Sequence, residues 1–307
     1  MTRQERTELK WQKRIALTHG RSLSSFRTWR PWASIFIGWE SFRVSTYFLW
    51  TAFKEYLSMQ FLVKWRILKI PVRHVDHALD KKVPFVPEKL PVYMTFVAFW
   101  LQPLSMLMYR NGFLRALPTY IDYIRHIRTA YHEAGRFYHF SMSTTCRPPA
   151  KGNKGFRMIH IWDPHYLCVP SLHVIIVVLC FSYFRRKFAE PELRIAEDER
   201  EQWNAELYHG AAEIVETVLY VKQHSVNCIP AAIYMMTRVY PRLITPEIAV
   251  AFIDELFKDA DDIAPEDRRA VVEHIQLTYE KFLLEGAQED DWREPVMRWI
   301  EQYQADK

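Results

Sequence analysis

The chain has 307 residues, 49% of them hydrophobic and 15% aromatic, with a formal net charge of +5. That length buries a core in one large or two modest domains. The four cysteines show no Cys-x-x-Cys spacing; Cys146, Cys168 and Cys228 lie close to the strings that carry the chemistry and Cys180 lies within an apolar run, so reduced thiols are expected in preference to a disulfide framework. The basic balance comes with no nucleic-acid-binding motif.

Residues 1–30 hold eight Lys/Arg against Glu5 and Glu8, a balance of +6, whereas residues 246–307 hold seventeen Asp/Glu against seven Lys/Arg, a balance of −10. A basic segment ahead of aromatic, apolar helices suits an anionic leaflet and, by the positive-inside bias, a cytoplasmic N-terminus. The first thirty residues lack an apolar core long enough for a cleavable signal, so none is expected. The chain divides into a basic N-terminal segment (1–33), a helical bundle (34–240) and an acidic helical extension (241–307).

Residues 34–53 form a weaker candidate span, apolar and aromatic except for Glu40 and Arg43, which at i and i+3 pair on one helical face. His74-Val75-Asp76-His77 reads as a polar loop. Residues 90–109 contain no formal charge and form the first clear candidate span. Across 110–142 the pattern is amphipathic, with Leu117, Tyr120, Tyr123, Ile124 and Ile127 between Arg115, Arg125 and Arg128, and predicts a helix from about Pro118 towards Arg147.

Lys151-Gly152-Asn153-Lys154-Gly155 is a basic turn, read as a connector in preference to a flap over a phosphorylated substrate. Residues 160–170 form an irregular approach with Trp162, Asp163 and His165, expected at a pocket rim. His160, His165 and Cys168 are zinc-ligand types in no familiar zinc spacing, and no metal or other cofactor is expected.

Residues 166–184 form the second clear candidate span, with His173 as the group titrating near neutrality. Residues 189–209 read as a charged, water-facing helical connector. Residues 219–237 form a weaker span that contains Lys222 and His224, costly in a buried segment and therefore pointing to function. Beyond residue 240, Thr245-Pro246-Glu247 and Pro265-Glu266-Asp267 start helices, the second ending near Gly286, and a short third is expected around Trp292, Met297 and Ile300. No repeat or strand alternation of useful length is present, so the fold class is all-α.

The chemistry concentrates in three strings. Pro170-Ser171-Leu172-His173 heads an apolar helix: Ser171 is a good N-cap, and the amides of Leu172 and His173 lack intrahelical acceptors, so they and the helix dipole can hold an anion such as phosphate. Upstream, Ser143-Thr144-Thr145-Cys146-Arg147-Pro148-Pro149 carries Arg147 on a proline-stiffened backbone as a fork for phosphate oxygens. Downstream, Lys222-Gln223-His224 offers a second histidine. In this order the strings resemble the three-motif signature of the type 2 phosphatidic acid phosphatase and vanadium haloperoxidase superfamily, over about residues 136–236.

The resemblance implies a helical bundle of that kind, followed by the acidic helical extension. It implies His224 as a nucleophile forming a phosphohistidine, His173 as the acid that protonates the leaving alcohol, and Arg147, Ser171 and the Leu172 amide as phosphoryl ligands. The pattern departs from the family at several positions. The first-motif lysine is replaced by Phe140, for which Arg136, Lys151 and Lys154 are substitutes; the third-motif Ser-Arg by Thr217 and Val218, for which Lys222 offers a cation. The third-motif aspartate is replaced by Cys228, leaving Asn227 or Asp163 to orient His224.

The implied activity is that of a metal-independent phosphoesterase or phosphotransferase acting on a lipid-linked or other amphipathic phosphate at a membrane, with the protein integral to or tightly associated with it. The alternative is a catalytically degenerate member that binds anionic lipid or a partner protein, and a third reading is a soluble helical protein with incidental histidines. The mean hydropathy of −0.21 is low for a six-span lipid phosphatase, so helices partly exposed to water or lying in the interface are also expected.

Overall fold

The computed structural model describes residues 2–149 and 153–305. Helix α1 (Arg3–Ala16) starts on a capping box in which Thr2 and Glu5 satisfy one another's amides. It is pinned to the turn between α6 and α7 described below, where the Arg14 guanidinium donates to the Asn111 carbonyl at 2.7 Å. A Cβ on Gly112, which has φ +82°, would lie 2.6 Å from that guanidinium, so glycine serves both the backbone and the close approach here. Arg30 lies 3.5 Å over the Tyr109 ring. Part of the basic segment is therefore spent on internal packing.

After α2 (Trp29–Ser34), α3 (Trp39–Ala52) carries the expected Glu40–Arg43 pair, at 2.9 and 3.0 Å. It runs through a wider turn, Phe53–Ser58, into α4 (Met59–Lys64). Strand β1 (Val72–His74) follows, then α5 (Leu90–Met94), α6 (Phe96–Asn111) and α7 (Phe113–Tyr138). α7 begins five residues before Pro118, and its buried face (Tyr120, Tyr123, Ile124, Ile127, Ala130, Ala134, Phe137) keeps the helical period read from the sequence. Strand β2 (Met142–Thr144) pairs with β1 in parallel, His74 opposite Thr144.

The site-bearing half comprises α8 (Lys154–Trp162), α9 (Leu172–Phe188), α10 (Glu197–Tyr220) and α11 (Cys228–Val239). Helix α9 is the hub: it packs against α6, α7, α10 and α11, and residues 174–184 are all buried. The uncharged run at 166–184 is thus enclosed by protein. Among the described residues one helical stretch, Pro87–Asn111, is long and apolar enough to cross a membrane, and 50% of its apolar window is buried. The 219–237 run is interrupted by a turn between α10 and α11, so Lys222 and His224 sit in that turn.

The water-facing connector expected over 189–209 differs most. Within it Glu199 is 3% exposed and pairs with Arg110, whose guanidinium is 1% exposed and also donates to Thr18 Oγ1 at 2.9 Å. Burial of two opposite charges with their hydrogen bonds satisfied holds α1, α6 and α10 together. Trp203, one turn further, is fully buried and donates to the Arg21 carbonyl at 2.8 Å.

The extension forms α12 (Pro246–Glu255), capped by Thr245, α13 (Pro265–Glu285) and α14 (Arg293–Gln302), close to the expected limits. It is packed onto the bundle: Val271, Ile275, Tyr279 and Phe282 are buried, α13 lies on α11, and Trp292 stacks on Phe137 at 6.2 Å. The core is continuous across all three sequence segments.

Candidate functional site

Two backbone devices bring the motifs together. Ser143 of β2 donates its amide to the Tyr166 carbonyl (2.8 Å), accepts the Cys168 amide (3.2 Å), and takes the Val169 amide on its hydroxyl (2.7 Å). The Arg147 loop is thereby laid along the approach to α9. On the other side Ser171 donates its amide to the Cys228 carbonyl at 3.4 Å, which sets the head of α9 against the head of α11. From α4, Gln60 accepts the Tyr166 amide at 2.9 Å.

Ser171 is the N-cap of α9, as read from the sequence: its hydroxyl accepts the Val174 amide at 3.5 Å and lies 3.4 Å from His224 Nε2. The His173 and His224 ring centroids are 5.5 Å apart, nearly perpendicular at 70°. His173 is packed by Tyr93 of α5 and Phe96 of α6, each 4.7 Å away, and its ring nitrogens have no hydrogen-bond partner among the described residues. His224 is 8% exposed, and its Nδ1 is buried without a partner. Arg147 donates to Gln223 Oε1 and to the Asp163 carbonyl, both at 3.2 Å, with the Asp163 carboxylate 3.8 Å away. The guanidinium is thus tethered to the residue preceding His224.

Not every sequence candidate joins them. Lys222, at φ +54°, donates its ammonium to the Asp80 and Val83 carbonyls and braces the segment before α5. Asn227 engages Val75 and His274, so it does not orient His224. Cys228 Sγ accepts the Ser225 amide at 3.4 Å, closing the turn that holds His224. Asp163 serves Arg147 and His165. Lys151 lies outside the described residues. Arg136 pairs with Glu133 and Asp291, and Lys154 is exposed at the start of α8.

The group that sequence reasoning left at the rim is central. His165, at φ +67° and 5% exposed, shares a 2.8 Å hydrogen bond with Thr145 and lies 3.5 Å from Cys168 Sγ and 6.3 Å, centroid to centroid, from His224. Burial would make His165 harder to protonate, but the Cys168 thiolate charge and the hydrogen bond to Asp163 outweigh it and raise its pKa to about 9. In return, against the upward push of burial, the His165 hydrogen bond and charge pull Asp163 down to about 2. Between the neighbouring buried thiols Cys168 and Cys228, Cys168 is the one held low: burial pushes it up, but it accepts from Cys228 and faces His165, which outweigh that push. His173 behaves oppositely: burial, then the nearby His224, push it down to about 3. The one signal available in sequence was Asp163-Pro164-His165 directly ahead of the α9 motif.

The cavity between Tyr56, Asp163, His165, Cys168, Leu172, His173 and His224 measures about 20 Å³. That is room for about one water, so a phosphoryl group enters only as its walls move apart. The arrangement contains two facing imidazoles, His173 and His224, with the protonated His165 beside them, a guanidinium tethered to Gln223 and an N-capped helix start. These are the kinds of group that phosphoryl transfer uses for nucleophile, proton and charge.

No protein-family model matches this chain, and neither a curated protein nor a solved structure matches it.

Proposed function

We propose that this chain is a metal-independent phosphoesterase or phosphotransferase of the type 2 phosphatidic acid phosphatase kind, acting on a lipid-linked phosphate through a phosphohistidine. The observation that carries the reading is the meeting of His173 and His224, from separate elements, at 5.5 Å, with Arg147 tethered to Gln223. In this reading His224, its Nε2 beside Ser171, attacks phosphorus in line with the P–O bond to the leaving alcohol. Arg147, Ser171 and the first amides of α9 take the negative charge, and His173 donates a proton to the departing oxygen. His173 is neutral in the closed pocket; a bound phosphoryl dianion supplies the opposite charge that favours its protonated form. Water or an alcohol then attacks phosphorus and gives its proton to the now neutral His173, and the P–N bond breaks to free His224, completing hydrolysis or transfer.

The amphipathic character of the substrate is supported by the outer surface. Helix α8, which leads into Asp163, exposes Met158, Ile161 and Trp162 beside Lys154 and Arg157, while α3 and its flanks expose Phe36, Trp39, Trp50 and Phe53 beside Arg43 and Lys54. Aromatic rings with a cationic border suit the interface of an anionic membrane. Membrane association with the N-terminus on the cytoplasmic side is part of the proposal.

The test is phosphate release from a panel of lipid phosphates in chelator by the parent, His224→Ala and His173→Ala proteins. We expect the parent to turn over and each variant to lose about 10²-fold or more. Undiminished activity in the variants overturns the mechanism. The small cavity and the absence of a third-motif arginine favour a second reading, a degenerate member that binds anionic lipid or a partner protein. Lipid binding without turnover by the parent supports that one.

A further inference from the structure

Away from the two-histidine pocket, three side chains with different donor atoms meet at one end of the small sheet. His74 closes β1, Asp76 lies two residues further on, and Cys146 lies two residues beyond the end of β2. The parallel register, His74 opposite Thr144, sets these chain exits side by side. The imidazole nitrogen, carboxylate oxygen and thiol sulfur all lie within 4.8 Å of one another, the one such meeting of His, Cys, Asp and Glu among the described residues. His160, His165 and Cys168 form no comparable group.

The arrangement is held from outside the donor set as well as within it. The Cys146 amide donates to Asp76 Oδ1 at 2.7 Å, and the Tyr303 hydroxyl donates to the Asp76 carbonyl at 2.7 Å. The Asp76 side chain is 17% exposed and Oδ2 lies 3.3 Å from His74 Nδ1. A tetrahedral zinc ion, with bonds of about 2.0–2.3 Å, places its ligand atoms roughly 3.3–3.8 Å apart. The trio therefore needs a contraction of about 1 Å, within reach of an exposed imidazole and an exposed thiol.

We propose that His74, Asp76 and Cys146 bind a zinc ion, with the fourth position open to solvent. Imidazole and thiolate donors select zinc over the hard cations magnesium and calcium. On binding, the thiol proton passes to solvent and the sulfur lone pair enters the coordination bond, so the reaction releases a proton. The ion would tie the two strand exits together and fix the residue next to Arg147. This inference stands apart from the proposed phosphoryl chemistry, which uses no metal.

The test takes the full chain stripped of metal and titrates it with zinc by calorimetry in buffers of different ionisation enthalpy, then with cobalt(II) while the near-ultraviolet thiolate-to-metal band is recorded. We expect one equivalent of zinc, release of a proton, and a thiolate band with cobalt. Cys146→Ser and His74→Ala, checked for unchanged melting without metal, should each bind at least about tenfold more weakly, and Cys146→Ser should lose the band. His160→Ala should bind as the parent does. The proposal is overturned if the parent takes up no zinc at micromolar concentration, if Cys146→Ser binds as tightly as the parent, or if His160→Ala alone abolishes binding.

Discussion

Helices α3 and α9 were both read from sequence as apolar runs able to meet lipid, yet they occupy opposite environments. Helix α9, without a charge until Arg185, is walled in by four other helices, while α3, which carries Glu40 and Arg43, turns Trp39 (76% exposed) and Trp50 (61%) outward. Apolar composition states how strongly a segment avoids water; it does not state what replaces the water. In α9 the small and branched side chains of 174–180 suit close packing by other helices, and in α3 large aromatic rings are left at the surface beside cations. Interfacial aromatics accompany the second arrangement in proteins that rest on membranes.

The contrast can be broken by placing a charge in each helix. Val177→Asp, at a position with no exposure, should cost more than about 4 kcal/mol and leave little folded protein, because it sets a carboxylate within the buried apolar run 174–179 of α9. Circular dichroism and urea melts read this directly, and a well-folded variant would show that α9 is not enclosed. Glu199→Ala ranks next. It leaves the Arg110 guanidinium buried without its carboxylate and should destabilise by about 3–5 kcal/mol in the same melts.

Smaller effects come from the pocket histidines, which act in opposite senses. His165 is raised to about 9, so its contribution is fully present below the unfolded value of about 6.5 and fades as pH rises through 9. His173 is depressed to about 3, so folding is penalised as pH falls below about 6.5, with the full penalty reached below 3. Between those limits their joint contribution peaks near pH 6.5. Melting temperature against pH should lose part of its acid slope in His173→Asn and part of its alkaline slope in His165→Asn; unchanged slopes in both would contradict the assigned protonation states.

The smallest effect on stability belongs to the outward face. Trp39→Ala combined with Trp50→Ala should leave stability within about 0.5 kcal/mol of the parent per site, yet reduce co-sedimentation with phosphatidylserine vesicles. Equal vesicle binding would remove α3 from the proposed membrane surface.

Some of this was legible in the sequence because the relevant physics is local. The Ser171 cap, the α7 periodicity, the Glu40–Arg43 pair and the starts of α12 and α13 each depend on residues a few positions apart. The meeting of His173 with His224 was legible only through the resemblance. The rest depends on partners far along the chain. Nothing near Lys222 announces that its ammonium serves the Asp80 and Val83 carbonyls, or that a turn with φ +54° breaks the apolar run there. Glu199 sits among acidic neighbours that do face water, and its partner Arg110 is 89 positions away. His165 gains its importance from Thr145 and Cys168, which β2 brings to it.

The contact between His274 and Asn227 has a consequence for how the chain can be divided. The imidazole of α13 donates to the Asn227 side-chain oxygen at 2.8 Å, and the same amide donates to the Val75 carbonyl at 3.1 Å. The acidic tail therefore clasps the hinge from which His224 is hung and the exit of β1 in a single grip. Cutting the tail away would not liberate a smaller working unit; it would unfasten the pocket from behind.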